Sequence, residues 1–219
     1  MKTIKIPLYT FSELEKKAQK TALEHFRYIN VNYHWWEDDY NDFKSLCATM
    51  GITIDKIYFR GFYSQGDGSC FSSTIDVPAF IKGIAEQSWK KYAPMLELDI
   101  EKCPIHPRVI DLIDSGVDIE IFMKIDTNHR YYYVHYYSTH YMNSANGRTY
   151  TRIENELEKL DEWAEETLET LNNYLYQTLE DTYEHLTSDK VVQEVIEVNE
   201  YHFTPNGVHT DWLCEYSEL

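Results

Sequence analysis

One apolar pattern constrains the fold more than any other feature. From Arg152 to His185 hydrophobic side chains recur at intervals of three and four residues, which is the period of one face of an α-helix. The pattern predicts a single helix about 50 Å long. The residues on its apolar face are Ile153, Leu157, Leu160, Ala164, Leu168, Leu171, Leu175 and Leu179. A helix of this length must bury that face, so the rest of the chain has to supply the covering elements.

The same helix is strongly acidic. Between Arg152 and Leu186 there are eleven Asp and Glu residues against one Arg and one Lys, a surplus of nine negative charges. Two interpretations are open: an ordinary solvated face, or an imitation of nucleic-acid charge that occupies a basic cleft. The candidate partner-binding residues are Glu158, Asp161, Glu162, Glu165, Glu166 and Glu169.

The net charge narrows the classes of partner. At −17 for 219 residues, the chain disfavours direct binding to DNA or to an anionic membrane, and it favours basic proteins. Four cysteines without CxxC spacing are typical of reduced thiols, and the N-terminus has no apolar leader. We therefore expect a cytoplasmic protein, without a cofactor or metal.

The remaining elements predict an α+β fold in one domain over 1–219. Helices are expected over 13–29, starting at a Ser12–Glu15 capping box, and over 35–50, 79–91, 108–114 and 190–199. Strands are expected over 2–9, 52–62, 69–77, 117–126 and 130–141. The last four strands predict an antiparallel sheet of about four or more strands, packed by helices. In the helix over 35–50, the spacing places Trp36, Tyr40, Phe43 and Cys47 on the buried face.

The loop between the first two sheet strands is a candidate ligand site. Its sequence is SQGDG, comprising Ser64, Gln65, Gly66, Asp67 and Gly68. Glycines allow close approach of the backbone to a ligand. The loop lacks the Lys-Ser/Thr of a phosphate loop and the spaced acids of a calcium loop. A plain structured turn is equally compatible with this sequence.

A tyrosine- and histidine-rich strand is the second half of that candidate site. Alternation places Tyr131, Tyr133 and His135 on one face, and Arg130 precedes them. Such a face can stack a base, although aromatic residues also favour strands for packing alone. A hydrolase using Asp67 with His129 or His135 is a further alternative.

Several segments resemble a family of uncharacterised phage and prophage proteins. They are YTFSEL (9–14), YHWWEDDYNDF (33–43), YFRGFYSQGDGSCF (58–71), the strand 130–141, and YEHLTSDKVVQEVIEVNEYHFTPNG (183–207). Members are often labelled antitoxins of toxin–antitoxin stability systems. The resemblance implies an accessory gene of a phage or mobile element, whose product binds and disables a host component.

Together these features favour a non-enzymatic protein that neutralises a host factor, for example a component of antiviral defence, with the acidic helix facing a basic surface. The alternatives are a small-ligand protein that binds a nucleotide signal through the SQGDG loop and the tyrosine strand, and an antitoxin that occludes a toxin.

Overall fold

The computed structural model describes residues 6–115, 123–127, 136–139 and 151–210. Its helices are α1 (Lys16–Phe26), α2 (Glu37–Ala48), α3 (Val77–Ala85), α4 (Pro107–Ser115), α5 (Thr151–Leu186) and α6 (Asp189–Val198). Its strands are β1 (Ile52–Arg60), β2 (Gly68–Ile75), β3 (Met123–Thr127) and β4 (Tyr136–Thr139). The predicted α+β class, the antiparallel pairing and the long acidic C-terminal helix are confirmed.

The packing divides the chain into two compact units, one of residues 1–36 and 180–219, and the other of residues 37–179. We call them unit 1 and unit 2. The prediction of a single domain over 1–219 stays a prediction.

The sheet of unit 2 is built around the β1–β2 hairpin. β1 pairs antiparallel with β2 from Ile52 opposite Ile75 to Arg60 opposite Gly68. β3 pairs with β2, and β4 pairs with β3, both antiparallel. The strand order is therefore β1-β2-β3-β4.

A β-bulge keeps one face of the hairpin apolar. The register shifts between Ile54 and Lys56, so Ile54 and Ile57 lie on the same face although they are three residues apart. On β2, Ser69, Phe71, Ser73 and Ile75 are buried while the residues between them are more exposed. The hairpin therefore buries one face and leaves the other more accessible.

Two helices cover that buried face. From α2, the ring centroid of Phe43 lies 5.2 Å from that of Phe71. From α5, Asn172 accepts a hydrogen bond at 3.0 Å from the hydroxyl of Ser69. Because residues 69 and 71 point to the same side of β2, both helices lie on one face of the sheet.

The predicted buried face of α2 is confirmed in part. Phe43 and Cys47 are fully buried, whereas Trp36 and Tyr40 are half-buried and Trp36 precedes the helix. On the opposite side of the helix, the acids Glu37, Asp38 and Asp42 are exposed. Gly51 follows the helix at φ +75°, as expected for the glycine that ends it.

Unit 1 has a small core of its own. Helices α1 and α6 pack together around the following buried side chains: Phe11, Leu14, Ala18, Ala22, Val192, Ile196 and Phe203. Tyr9 exchanges backbone hydrogen bonds with Phe203. Of the strand expected over 2–9, residues 2–5 lie outside the described residues, and residues 6–9 form this single bridge only.

The expected Ser12–Glu15 capping box is wrong. The carboxylate of Glu13 accepts hydrogen bonds from the backbone N–H of Thr10 at 2.8 Å and from its hydroxyl at 2.9 Å. The T-x-x-E pattern two residues earlier thus forms a separate 3₁₀ turn over Phe11–Glu13. α1 starts only at Lys16, and Glu15 makes no side-chain capping bond.

Candidate partner-binding surface

Helix α5 has two chemically opposite faces within unit 2. Its inward side is apolar and buried, including Leu157, Leu160, Ala164, Leu168, Leu171 and Leu175. Acidic residues occupy the positions between these apolar ones. Because the helix has 3.6 residues per turn, the two sets of side chains lie on different faces. The helix therefore holds its carboxylates on a rigid support.

Four of the six predicted partner-binding residues form a continuous exposed row. Glu158, Glu162, Glu166 and Glu169 are exposed and follow each other at intervals of four, four and three residues. We call this row the acidic stripe. It is about 16 Å long at 1.5 Å per residue, with one charge per roughly 5.5 Å. That spacing is within a factor of two of the roughly 3.4 Å axial spacing of charges along one DNA strand.

The other two predicted residues belong less clearly to this surface. Asp161 and Glu165 are half-buried, and both interact elsewhere within the chain. They flank the stripe on the side that turns toward the protein interior. A partner lying on α5 therefore meets the four exposed glutamates first.

The one lysine of α5 is engaged with an acid outside the stripe. Lys159 Nζ lies 2.6 Å from Glu156 Oε1. The pKa of Glu156 is lowered by this hydrogen bond with Lys159, and further by the backbone N–H that His106 donates to it. Lys159 thus has an internal acid as its close partner, and the stripe keeps its own charge.

An extended segment beside α5 adds two acids that the sequence analysis did not single out. The indole N–H of Trp163 donates to the backbone carbonyl of Glu101 at 2.8 Å, which fixes this segment against the helix. Asp99 and Glu101 are exposed there. The alternation of acids with Leu98 and Ile100 was the available signal, since period two places the acids of an extended chain on one side.

The SQGDG loop folds its carboxylate back onto its own backbone. Asp67 Oδ2 accepts hydrogen bonds from the N–H groups of Tyr63 at 2.9 Å and Ser64 at 2.6 Å. Gly61 has φ +50°, and a Cβ there would lie 2.6 Å from Asp67 Oδ2. Glycine at position 61 is thus needed both for its backbone conformation and for the space that the carboxylate fills.

Aromatic packing fixes the base of this loop. Phe62 lies 5.8 Å from Phe59 and 5.5 Å from Tyr176 of α5, measured between ring centroids. The hydroxyl of Tyr176 donates to the carbonyl of Gly61 at 3.3 Å. Tyr40 contacts Phe59, and its burial raises its pKa to about 12. The loop is therefore a supported turn that uses Asp67 internally.

The other predicted ligand residues divide into two groups. Ser64, Gln65 and Gly66 are exposed at the loop tip, and Gly68 begins β2. Arg130, Tyr131, Tyr133 and His135 lie outside the described residues. A joint site of loop and tyrosine strand thus stays a prediction.

Comparison with known protein families identifies the chain only at the level of a family. The model of a Domain of unknown function (DUF8835) matches residues 35–189. The chain belongs to the DUF8835 family. The DUF8835 segment includes the whole of unit 2, and with it the acidic stripe and the SQGDG loop. Neither a curated protein nor a solved structure matches the chain significantly.

Two further findings concern other classes of site in this DUF8835 protein. Within residues 6–115, 123–127, 136–139 and 151–210, no three His, Cys, Asp or Glu side chains are grouped to hold a metal ion. Over the same ranges, no helix is long and apolar enough to cross a membrane.

Proposed function

We propose that this protein acts by binding rather than by catalysis, laying the acidic stripe of α5 on the nucleic-acid-binding surface of a basic protein. The observation that carries the proposal is the row of exposed glutamates at helical spacing, Glu158, Glu162, Glu166 and Glu169. Because a protein that binds nucleic acid presents Lys and Arg at phosphate spacing, a rigid row of carboxylates competes for the same side chains.

The cost of the stripe supports a functional interpretation. Like charges three or four residues apart on a helix destabilise it. The four stripe acids follow each other at this spacing, and Lys159, the lysine that lies among them in the sequence, has Glu156 outside the stripe as its close partner. A merely soluble surface gains as much from interspersed charges of both signs. The arrangement is therefore more consistent with an electrostatic role in binding than with solubility alone.

The resemblance to phage and prophage proteins supplies the biological setting of the proposal. The protein would be an accessory product of a phage or mobile element, present in the host cytoplasm, and its target would be a host nucleic-acid-binding factor such as a component of antiviral defence. The nucleotide-binding alternative gains no support from the loop, since Asp67 is used to hold the turn. The antitoxin alternative shares the same surface and differs only in the partner.

Two matched variants test the proposal. The stripe variant, Glu158→Gln, Glu162→Gln and Glu169→Gln, removes three charges from the row and keeps Glu166. The scattered variant, Glu15→Gln, Asp55→Asn and Glu86→Gln, removes three exposed charges that lie elsewhere. Both change the net charge by the same amount.

Immobilised wild-type protein and both variants are exposed to lysate of a prophage-bearing host, and the retained proteins are identified by mass spectrometry. We expect the wild type and the scattered variant to retain a nucleic-acid-binding protein. Added duplex DNA should release that protein from the immobilised chain. At about 0.2–1 kcal/mol per exposed ion pair, the stripe variant should bind roughly 3- to 100-fold more weakly. Equal retention by the stripe variant would contradict the proposal.

A further inference from the structure

A cavity of about 230 Å³ lies next to the acidic stripe, between α5 and the extended segment at residues 99–101. Its lining residues are Asp99, Ile100, Glu101, Trp163, Glu166, Thr167 and Thr170. Trp163 is 4 % exposed, lies 4.8 Å from the ring of Phe80, and donates its indole N–H to Glu101. These contacts hold the apolar wall of the cavity in place.

The polar rim of the cavity consists of acceptors. The carboxylates of Asp99, Glu101 and Glu166 line it, and none forms an ion pair with another residue in the described ranges. No Lys or Arg is among the lining residues. Three carboxylates that share a concave site attract a cation more strongly than separate surface acids do.

The side chain of Thr167 provides an independent indication of a ligand. Thr167 is 2 % exposed and lines the cavity. Its hydroxyl forms no hydrogen bond with any residue that the structure describes, whereas the neighbouring Thr170 donates to the carbonyl of Glu166. The Thr167 hydroxyl oxygen is not among the fully buried side-chain atoms without a partner, so it keeps some exposure. A donor that enters the cavity can therefore reach it.

We propose that this cavity binds the side chain of an arginine from the basic partner, a proposal that rests on the proposed function. The guanidinium group has five N–H donors in a planar fork, and it is more weakly hydrated than an ammonium group. The carboxylates of Asp99, Glu101 and Glu166 accept from this fork at the rim, and Thr167 accepts deeper in the cavity. Trp163 and Ile100 pack against the aliphatic stem. Arginine anchors of this kind are enriched among the residues that dominate interface energies.

The test titrates the full-length ¹⁵N-labelled protein with N-acetyl-arginine amide and follows the tryptophan indole signals by NMR. The signal of Trp163 is assigned with Trp163→Phe. We expect a saturable shift of that signal, at least threefold weaker binding of N-acetyl-lysine amide, and no saturable shift with the neutral citrulline analogue. Glu166→Gln should raise Kd at least fivefold, and Thr167→Val, which keeps the side-chain shape, at least threefold.

Glu162→Gln is the matched control, because it removes one charge from the same stripe outside the cavity. It should change Kd less than twofold. Equal effects of Glu162→Gln and Glu166→Gln, or a shift that never saturates, would overturn the arginine site. Equal binding of the lysine derivative would overturn the assignment to guanidinium.

The outcomes separate this proposal from the broader one. If the stripe variant loses partner capture but the wild type does not bind arginine, the proposed function holds and the cavity has no part in it. If the wild type binds arginine saturably but the stripe variant captures the partner as well as the wild type does, the cavity is supported and the stripe has no role in capture.

Discussion

Neutralising the acidic stripe should make the protein more stable, which is the opposite of what most multiple substitutions do. The stripe variant relieves seven like-charge pairs at i,i+3 or i,i+4: three within the stripe, and four with the neighbouring acids Glu154, Asp161 and Glu165. It also removes one attractive i,i+3 pair, Lys159–Glu162. Each such pair costs about 0.2–0.5 kcal/mol at low salt. Gln and Glu have similar helix propensities. With a net of six pairs, the free energy of unfolding should therefore rise by about 1.2–3 kcal/mol.

The assay is urea denaturation followed by circular dichroism, because urea, unlike guanidinium chloride, does not add salt. The gain should be largest at low ionic strength and mostly disappear at 1 M NaCl, where the Debye length is about 3 Å. The scattered variant should show no gain, since none of its three acids has another acid three or four residues away. An unchanged or lower stability of the stripe variant at low salt would refute the view that the stripe is held at a cost.

Three further predictions concern the SQGDG loop, the Thr10–Glu13 turn of unit 1 and the buried hydrogen bond of unit 2. Asp67→Ala leaves two backbone N–H groups without their acceptor and should lower the free energy of unfolding by about 1–2 kcal/mol. Gln65→Ala at the exposed tip should leave the free energy of unfolding unchanged. Equal effects of the two substitutions in urea denaturation would disprove the turn-holding role of Asp67. Glu13 has a lowered pKa because the Thr10 backbone N–H donates to it. Its stabilising effect is therefore fully present above the ordinary Glu pKa of about 4.3 and is lost as the pH falls through the lowered value. The difference in stability between wild type and Glu13→Gln should narrow on acidification, and a difference that widens would contradict the assignment. Asn172→Ala removes the side-chain acceptor of the buried Ser69 hydroxyl and leaves it only the longer contact, 3.3 Å, to the backbone carbonyl of residue 172. It should cost about 0.5–1.5 kcal/mol, with much of the loss absent when Ser69→Ala is already in place. Simple additivity in a double-mutant cycle would show that the two groups are not coupled.

Periodic patterns made the main elements predictable. The apolar positions from Ile153 to Leu179 predicted α5, and alternation with a glycine-rich turn predicted the β1–β2 hairpin. Gly51 was predictable as a helix end, because few other residues take the positive φ found there. These features depend on local spacing, which the sequence displays directly.

Features that depend on three-dimensional placement were less predictable. The windows starting at Thr10 and Ser12 both have the S/T-x-x-E pattern, and only the folded chain shows that Glu13 is the acid that closes the turn. The inward direction of Asp67 depends on the space above Gly61, which a linear pattern does not reveal. The neighbourhood of Asp99, Glu101 and Glu166 joins residues more than sixty positions apart.

The central claim is that the acidic stripe occupies the nucleic-acid-binding surface of a basic protein. The most direct measurement is a fluorescence-anisotropy competition, in which this protein is titrated into a complex of the captured partner with labelled duplex DNA. The account predicts that the wild type and the scattered variant displace the DNA completely, that the stripe variant needs roughly 3- to 100-fold more protein, and that displacement weakens as salt rises. Formation of a ternary complex, with the DNA still bound at saturating protein, would contradict it.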